Sequence, residues 1–291
     1  MDNQKNYARI ERAAARRRGV SQAAIYLLLT LWALIVLFPF YWMILTSVKS
    51  YSQYNAERKP AFFTLSPTLQ NYVDAFAGKD FLLWFANSLI LSLGAVALTM
   101  IVGLFAGYAF AKMKFRGRDA LFSLIIPLMS VPPVAMLIPL FRTVVKLGMV
   151  NTLGSVIFIY CGLCLPMTVY MIRNFLLSVP DAILEAARID GCSRFRSLFS
   201  IVLPLSVPAI ITSGLVNLVW AWNELMVALV FLQKEHLRTL IVGTTIFKSR
   251  YSLNVPVIMA GLVVVTLPMI IVYIFGQKKL VQGLMSGAVK E

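Results

Sequence analysis

Six long apolar runs constrain this sequence more than any other feature. Each run is long enough to cross a hydrocarbon core of about 30 Å, which takes roughly 20 helical residues. In lipid the backbone polar groups must be satisfied within a segment or in a closed barrel, and these runs are continuous rather than alternating, so we predict helices. The predicted spans are Ala23–Thr46, Trp84–Ala111, Ala120–Phe141, Thr152–Ile172, Leu205–Leu232 and Val255–Phe275.

The composition supports the same class. The 291 residues are 59% hydrophobic and only 13% charged, with a mean hydropathy of +0.80, which excludes a soluble globule. We therefore predict an all-α polytopic membrane protein with residues 1–22 as a basic tail, 23–277 as the membrane domain and 278–291 as a second tail. The first run exceeds a signal-peptide core and no small-x-small cleavage site follows it, so we expect it to remain as the first span.

The distribution of basic residues predicts the orientation. The N-terminal tail, the second and fourth connections and the C-terminus carry 17 of the 27 Lys and Arg residues, and the other three connections carry 10. Because basic residues are retained on the cytoplasmic side, both termini and the fourth connection are predicted to be cytoplasmic. The net charge of +15 is split among short loops, which favours attraction to anionic lipid over nucleic-acid binding.

Residue types that perform covalent or metal chemistry are sparse. Cys161 and Cys164 form a C-x-x-C pattern inside the fourth predicted span, without a second pair, which indicates helix packing. The single histidine, His236, has no clustered acidic or cysteine partners in the sequence. We predict no catalytic residue and no metal site. The sequence has no G-x-x-x-x-G-K-[S/T] loop, so we do not expect this chain to bind nucleotide phosphates by itself.

The fourth connection has the local pattern of a short helix. Ser178 is the expected N-cap and Pro180 the expected first-turn residue, with a predicted end near Asp190. Gly191 suits a left-handed C-terminal cap, after which a second short segment at 193–200 leads into the fifth span.

A longer pattern covers the same connection. Glu185-Ala186-Ala187 is followed after three residues by Gly191 and after nine more by Ile201-x-Leu203-Pro204. This spacing resembles the EAA signature of the membrane subunits of binding-protein-dependent ABC importers, and every position is filled. The resemblance implies a type I ABC importer permease fold in which residues 176–204, hereafter the EAA segment, dock an ATPase.

A helical projection predicts which side chains dock. Ile183, Ala186, Ala187 and Asp190 fall at i, i+3, i+4 and i+7 and would share one face, and two adjacent alanines would permit close approach of a partner. An ordinary amphipathic surface helix is the alternative interpretation. The predicted coupling residues are Ile183, Glu185, Ala186, Ala187, Asp190, Gly191, Ile201, Leu203 and Pro204.

Further stretches resemble the carbohydrate-uptake class of these importers, in particular the smaller permease subunit of the maltose type. They include Pro67–Tyr72, Asn87-Ser88-Leu89 and Phe115-Arg116-Gly117-Arg118. The resemblance implies a bacterial or archaeal plasma (inner) membrane and a second permease of similar fold. It also implies two ATPase subunits that carry ATP and Mg²⁺, and an extracytoplasmic sugar-binding protein. The solute class stays open among oligosaccharides, disaccharides, polyols and glycerol-phosphate esters.

A polar and aromatic cluster near the end of the fifth predicted span is a candidate for the solute path. The cluster comprises Trp220, Trp222, Asn223 and Glu224. Ionisable residues inside spans are costly and usually functional, and indole faces stack on sugar C–H surfaces. The alternative is an interfacial aromatic belt, with Glu224 near headgroups or locking helix packing. Pro132 and Pro133 interrupt the third span, where freed carbonyls line a cavity or hinge, or where the helix merely kinks for packing.

Two further segments have assignments that follow from the resemblance. Gly287, Val289 and Lys290 resemble a C-terminal tail that reaches the ATPase interface, with a frayed basic terminus as the alternative. The fifth connection, 233–254, is predicted to be an external loop that faces the binding protein, with an ordinary solvated loop as the alternative.

Two other classes of membrane protein are alternatives. A stand-alone transporter driven by an ion gradient predicts inverted repeats and several buried acidic residues, whereas the sequence shows no convincing repeat and one strong candidate, Glu224. A membrane-embedded enzyme predicts clustered His, Cys or carboxylate residues, which the sequence does not have.

Overall fold

The computed structural model describes residues 2–57, 61–77, 80–250 and 254–288, and every regular element in these ranges is a helix. The described chain contains two compact units, one within residues 1–73 and 253–263 and one within residues 74–252 and 264–291. The α-helices are α1 (Asp2–Ser47), α2 (Tyr51–Ala56), α3 (Gln70–Phe76), α4 (Asp80–Lys112), α5 (Arg118–Leu128), α6 (Pro133–Lys146), α7 (Leu153–Leu177), α8 (Asp181–Ile189), α9 (Arg194–Ser197), α10 (Leu203–Asn223), α11 (Met226–Phe231), α12 (Leu240–Arg250) and α13 (Val255–Ala288). A π-helical turn, Leu198–Val202, and a 3₁₀ turn, Glu235–Leu237, complete them.

Within the described residues, five stretches are long and apolar enough to cross a membrane, and the pair α5 and α6 makes six if it counts as one span. The prediction of an all-α multi-pass membrane protein is thereby confirmed. The five stretches are Gln22–Ser47, Asp80–Lys112, Leu153–Leu177, Phe195–Asn223 and Val255–Lys279.

The third predicted span is broken rather than continuous. Helix α5 ends at Leu128, α6 begins at Pro133, and their axes differ by 106°. Pro133 lacks an N–H to continue the ladder, and a proline disfavours helical backbone at the residue before it, which is Pro132 with ψ 130°. The paired prolines therefore end one helix and start another.

The fifth predicted span, Leu205–Leu232, is also wrong at its far end. Helix α10 stops at Asn223, Glu224 is extended with ψ 122°, and α11 begins two residues later. In addition, the predicted loop after this span contains the 11-residue helix α12. Apolar composition alone did not show these breaks, because every residue from Leu225 to Leu232 is hydrophobic.

Helices α4 and α7 pack closely because α4 presents small residues to α7. A Cβ atom at Gly103 would lie 2.5 Å from Thr168 Cγ2, and one at Gly107 would lie 2.7 Å from Ile172 Cγ2. Such small-xxx-small faces let helix backbones approach each other where lipid provides no hydrophobic drive for association. The amide of Asn217 in α10 donates to Thr168 Oγ1 at 2.8 Å, which ties a third span to the same pair.

In the other unit, the Pro67–Tyr72 stretch fastens the end of α1. The Asn71 amide donates to the carbonyls of Ser47 and Lys49 at 2.8 and 2.7 Å, and the Tyr72 hydroxyl lies 2.7 Å from Ser47 Oγ. Lys49 is 1% exposed and pairs with Glu57 at 2.8 Å. This stretch thus has a structural role at the exit of the first span.

Candidate functional site

Helix α8 forms the centre of the EAA segment. Its N-cap is Pro180, whose backbone is extended with ψ 135°, so the prediction of a Ser178 cap is wrong. Ser178 instead ends α7, where its hydroxyl donates to the Phe175 carbonyl at 2.6 Å and is therefore engaged elsewhere. Asp181 lies in the first turn, near the positive end of the helix dipole.

The end of α8 is a Schellman motif. Gly191 has φ +79°, its N–H donates to the Arg188 carbonyl, and the Cys192 N–H donates to the Ala187 carbonyl at 2.9 Å. The predicted left-handed cap is confirmed. No neighbouring atom of the described residues lies within 4 Å of where a Gly191 Cβ would be, so the backbone conformation, and not space, requires glycine here.

The inner face of α8 belongs to the core of this chain. Leu184 and Ala187 are 6% and 5% exposed. Leu184 packs in a cluster with residues of α4, α7 and the π-helical turn, namely Leu104, Tyr108, Ala111, Ile172, Leu176, Leu198 and Val202. The prediction that Ala187 shares an outward face with Ile183 and Ala186 is therefore wrong, because the helix turns this alanine toward its own chain.

The outer face of α8 is exposed and largely apolar. Ile183 is 39% exposed, Ile189 is 86% exposed, and Ala186, between them in sequence, is exposed as well. Glu185 and Asp190 are also exposed. An isoleucine that is 86% exposed at the end of a short polar connection provides apolar surface that a partner could bury.

The last signature residues join the EAA segment to α10. Ile201 lies half-buried in the π-helical turn, Leu203 begins α10 and packs against the cluster around Leu184, and Pro204 is exposed in the first turn of α10. The chain before Pro204 is already helical, with αR backbone at Val202, so this proline lies where π-helical hydrogen bonding changes to α-helical and not at a free helix start. Their geometry braces the segment, and their role in coupling stays a prediction.

Glu224 lies at the far end of α10 and caps α11. Its carboxylate accepts hydrogen bonds from the backbone N–H groups of Val227, at 3.0 and 3.1 Å, and Ala228, at 3.2 Å. The hydroxyl of the buried Tyr160 donates to Glu224 Oε2 at 2.9 Å. This arrangement favours the interpretation in which Glu224 locks helix packing. Tyr160, which sequence reasoning missed, carries no local signal because it lies within an apolar run.

A pocket of about 410 Å³ is lined by four of the six residues predicted for the solute path, namely Pro133, Trp220, Asn223 and Glu224. Trp222 is not among its lining residues, because it is 3% exposed and packs edge-on against Phe85 with ring centroids 5.8 Å apart. Pro132 precedes α6 as its N-cap and does not line the pocket. The lining residues are Pro133, Val134, Leu137, Val219, Trp220, Asn223, Glu224, Leu225, Met226 and Val227.

A second cavity, of about 770 Å³, adjoins the same break in the third span. It is lined mainly by apolar residues of α5, α6 and α7, and Pro133 and Trp220 line both spaces. The proline break predicted from sequence is thus next to a cavity.

The chain between α11 and α12 is fastened by side chains from other elements. Asn151, at φ +59°, accepts hydrogen bonds at Oδ1 from the N–H groups of Gln233 and Lys234. From α4, Trp84 donates to the Glu235 carbonyl and Asn87 to the carbonyls of His236 and Arg238, while Ser88 Oγ accepts from the Leu240 N–H. Residues 233–236 are exposed and yet have a fixed backbone.

The predicted C-terminal contact lies partly beyond the described ranges. Gly287 is in α13, whereas Val289 and Lys290 lie outside the described residues. Their role stays a prediction.

Residues 99–285 match the family described as binding-protein-dependent transport system inner membrane component. The chain belongs to this family. The match includes the whole EAA segment and the pocket at Glu224, so the sequence-based resemblance is confirmed and the two rival classes are set aside. This family is a membrane component of transport systems.

Individual relatives extend the match over most of the chain. The chain is 39% identical to a putative ABC transporter permease protein, ORF2, from Caldicellulosiruptor sp., over 91% of this chain and 96% of the relative. It is 36% identical to the sulfoquinovosyl glycerol transport system permease protein SmoH from Agrobacterium fabrum, over 87% of this chain and 89% of the relative.

The fold also has a solved counterpart. The structure resembles a chain of a bacterial ABC transporter involved in the import of the acidic polysaccharide alginate, with a TM-score of 0.78 and 25% identity, covering 90% of this chain and 96% of that chain. The type I permease fold predicted from the EAA signature is thereby confirmed.

Proposed function

We propose that this chain is a permease subunit of an ATP-driven importer for a carbohydrate, and that it forms half of the translocation pathway beside a second permease of similar fold. The observation that carries the proposal is the division of α8 into two faces. Leu184 packs into the core of the membrane domain and Ala187 is buried beside it, whereas Ile183 and Ile189 leave an exposed apolar surface on the other side.

That exposed surface would bind an ATPase. Ala186 lies between the two isoleucines and leaves little side chain between the helix backbone and a partner, so α8 could enter a groove closely. Two separate ATPase subunits would bind ATP and Mg²⁺ and perform hydrolysis, and this chain would supply neither a catalytic residue nor a cofactor site. Closure of the ATPases would then move the membrane helices through α8.

The carbohydrate class is supported by the relatives and by the pocket at the other end of α10. The names of two similar proteins refer to a sugar glycoside and to a polysaccharide. In the pocket, Trp220 provides an aromatic face and Asn223 an amide, a combination that suits the C–H faces and hydroxyls of a sugar. Glu224 would shape this pocket by holding α11 in place.

The proposed orientation places the EAA segment and both termini in the cytoplasm. The excess of basic residues on that side supports it. Residues 233–236, whose backbone is held by Asn151, Trp84 and Asn87, would then face outward toward a sugar-binding protein. A preformed contact surface lowers the entropic cost of association.

The test is purification of the native complex in mild detergent, followed by mass spectrometry and ATPase assays with a sugar-loaded binding protein. We expect an ATPase and a second permease to co-purify with the chain, and sugar to stimulate ATP hydrolysis. Ile189→Asp should release the ATPase, whereas Gln233→Asp, exposed at the other end of the bundle, should retain it. A chain that purifies alone and transports solute without ATP would refute the proposal.

A further inference from the structure

Lys112, the last residue of α4, connects three parts of the membrane domain. Its ammonium group donates to the Val179 carbonyl at 2.6 Å and to Asp181 Oδ1 at 2.6 Å. Val179 lies in the turn between α7 and α8, and Asp181 lies in the first turn of α8. One side chain from a neighbouring span therefore holds the start of the EAA helix.

The two bonds of Lys112 differ in their surroundings. The lysine side chain is only 4% exposed, and a buried ammonium needs hydrogen-bond acceptors because its desolvation is otherwise unfavourable. Asp181 is 75% exposed, so water and salt screen its attraction to Lys112. The hydrogen bond from Lys112 still holds the pKa of Asp181 below its usual value. The Val179 carbonyl is thus the more sheltered acceptor.

Apolar contacts place the same helix on the same two spans. Leu184 of α8 packs in a cluster with Tyr108 of α4 and Ile172 of α7. Helices α4 and α7 approach each other closely at Gly107, which has no side chain to separate them. Leu184 lies toward the middle of α8, whereas Lys112 holds its first turn. Two separated points of attachment prevent α8 from pivoting about a single contact.

We propose that Lys112 is a positioning residue. When an ATPase moves α8, the hydrogen bonds of Lys112 make α4 move with α8. This inference rests on the proposed function, since it requires that α8 receive the ATPase. Without the lysine, the backbone turn at 178–180 would absorb part of any displacement of α8, and less of it would reach α4. The lysine binds neither solute nor nucleotide, and it acts through the position of α8.

The test uses the complete transporter in proteoliposomes and measures solute transported per ATP hydrolysed. Lys112→Met keeps the length of the side chain and removes its charge, and we expect it to retain ATP hydrolysis while solute transported per ATP falls about tenfold, within the usual range of coupling energies. Lys112→Arg should restore most of the ratio, because a guanidinium can donate to the same acceptors. Asp181→Asn should stay within about twofold of the native ratio, because exposed ion pairs contribute little.

A native ratio in Lys112→Met would overturn the role of the lysine. If solute does not stimulate ATP hydrolysis by the native transporter, the proposed function is refuted instead. Failure of the lysine's role and failure of the proposed function therefore give different results.

A distance measurement separates positioning from folding. Spin labels at Lys114 and Ala182, both exposed, report the separation of the end of α4 from α8 in a background without the three native cysteines. We expect one narrow distance that is the same with and without nucleotide in otherwise native protein, and a broadened distance in Lys112→Met. A distance that changes with nucleotide in the otherwise native protein would overturn the inference even if Lys112→Met fails to assemble.

Discussion

At the scale of single residues, Glu224 shows how one carboxylate ends a span. Its two carboxylate oxygens accept hydrogen bonds from the backbone N–H groups of Val227 and Ala228 and from the Tyr160 hydroxyl. Helix α11 therefore starts where the carboxylate binds the two N–H groups. We expect Glu224→Ala to lower the free energy of unfolding by about 1 kcal/mol, as for other lost side-chain hydrogen bonds to a helix start, and Glu224→Gln to lower it less, because an amide oxygen still accepts. Thermal unfolding of the purified protein in detergent measures both.

Asn223 provides the control for Glu224. It lies next to Glu224 in the same pocket, but the hydrogen bond that its amide makes among the described residues is to the Val219 carbonyl within α10. Asn223→Ala should therefore unfold near the native temperature. Equal unfolding temperatures for Glu224→Ala and Asn223→Ala would contradict the capping role.

Gly191 is a residue whose effect comes from backbone conformation alone. At φ +79° a side chain meets its own backbone, which costs roughly 1–2 kcal/mol, and no neighbour crowds the site. We expect Gly191→Ala to be destabilised by this amount and to lose ATPase binding along with the Schellman geometry. Gly162→Ala is the matched control, because Gly162 also has open space but lies within α7. If both variants unfold at the same temperature, φ at Gly191 is not restrictive.

At the scale of elements, the contact between α4 and α7 depends on missing side chains. We expect Gly103→Ala to destabilise the protein by about 1–3 kcal/mol, since its Cβ would lie 2.5 Å from Thr168 Cγ2 and would force the helices apart. Gly214→Ala is the control within another span, because its nearest neighbour would be 3.9 Å away. Unfolding in denaturant measures the difference, and equal stability of the two variants would show that α4 adjusts without cost.

The sequence predicts which membrane helices exist far better than it predicts where they break. Apolar runs and basic loops predict spans because lipid leaves the backbone few choices, and the spacing around Gly191 predicts its cap from local chemistry. The end of α10 depends instead on Tyr160, 64 residues away, and the tip at 233–236 depends on Asn151. The inward face of α8 depends on the packing of Leu184 against α4 and α7. Such long-range contacts leave no local pattern in one sequence.

At the scale of the whole molecule, α10 sets the distance between the two candidate sites in its unit. Its 21 residues extend about 32 Å at 1.5 Å per residue, which matches a hydrocarbon core of about 30 Å. The EAA segment ends in the first turn of α10, and the pocket at Glu224 is lined by residues of its last turns and of α11. A helix of this length and hydropathy is long enough to hold the two sites one membrane thickness apart.

This separation predicts opposite accessibility for two exposed residues. In a background with Cys192 replaced by Ser, and with Cys161 and Cys164 buried, we expect an impermeant thiol reagent to label His236→Cys in cells with an accessible plasma membrane. Ile189→Cys, 86% exposed in the native side chain, should react only after the membrane is disrupted. The basic residues near Ile189 oppose the transfer of this segment across the membrane. The reverse labelling pattern would therefore show that the charge bias does not set the orientation. Labelling of both cysteines from outside would show that α10 does not span the membrane.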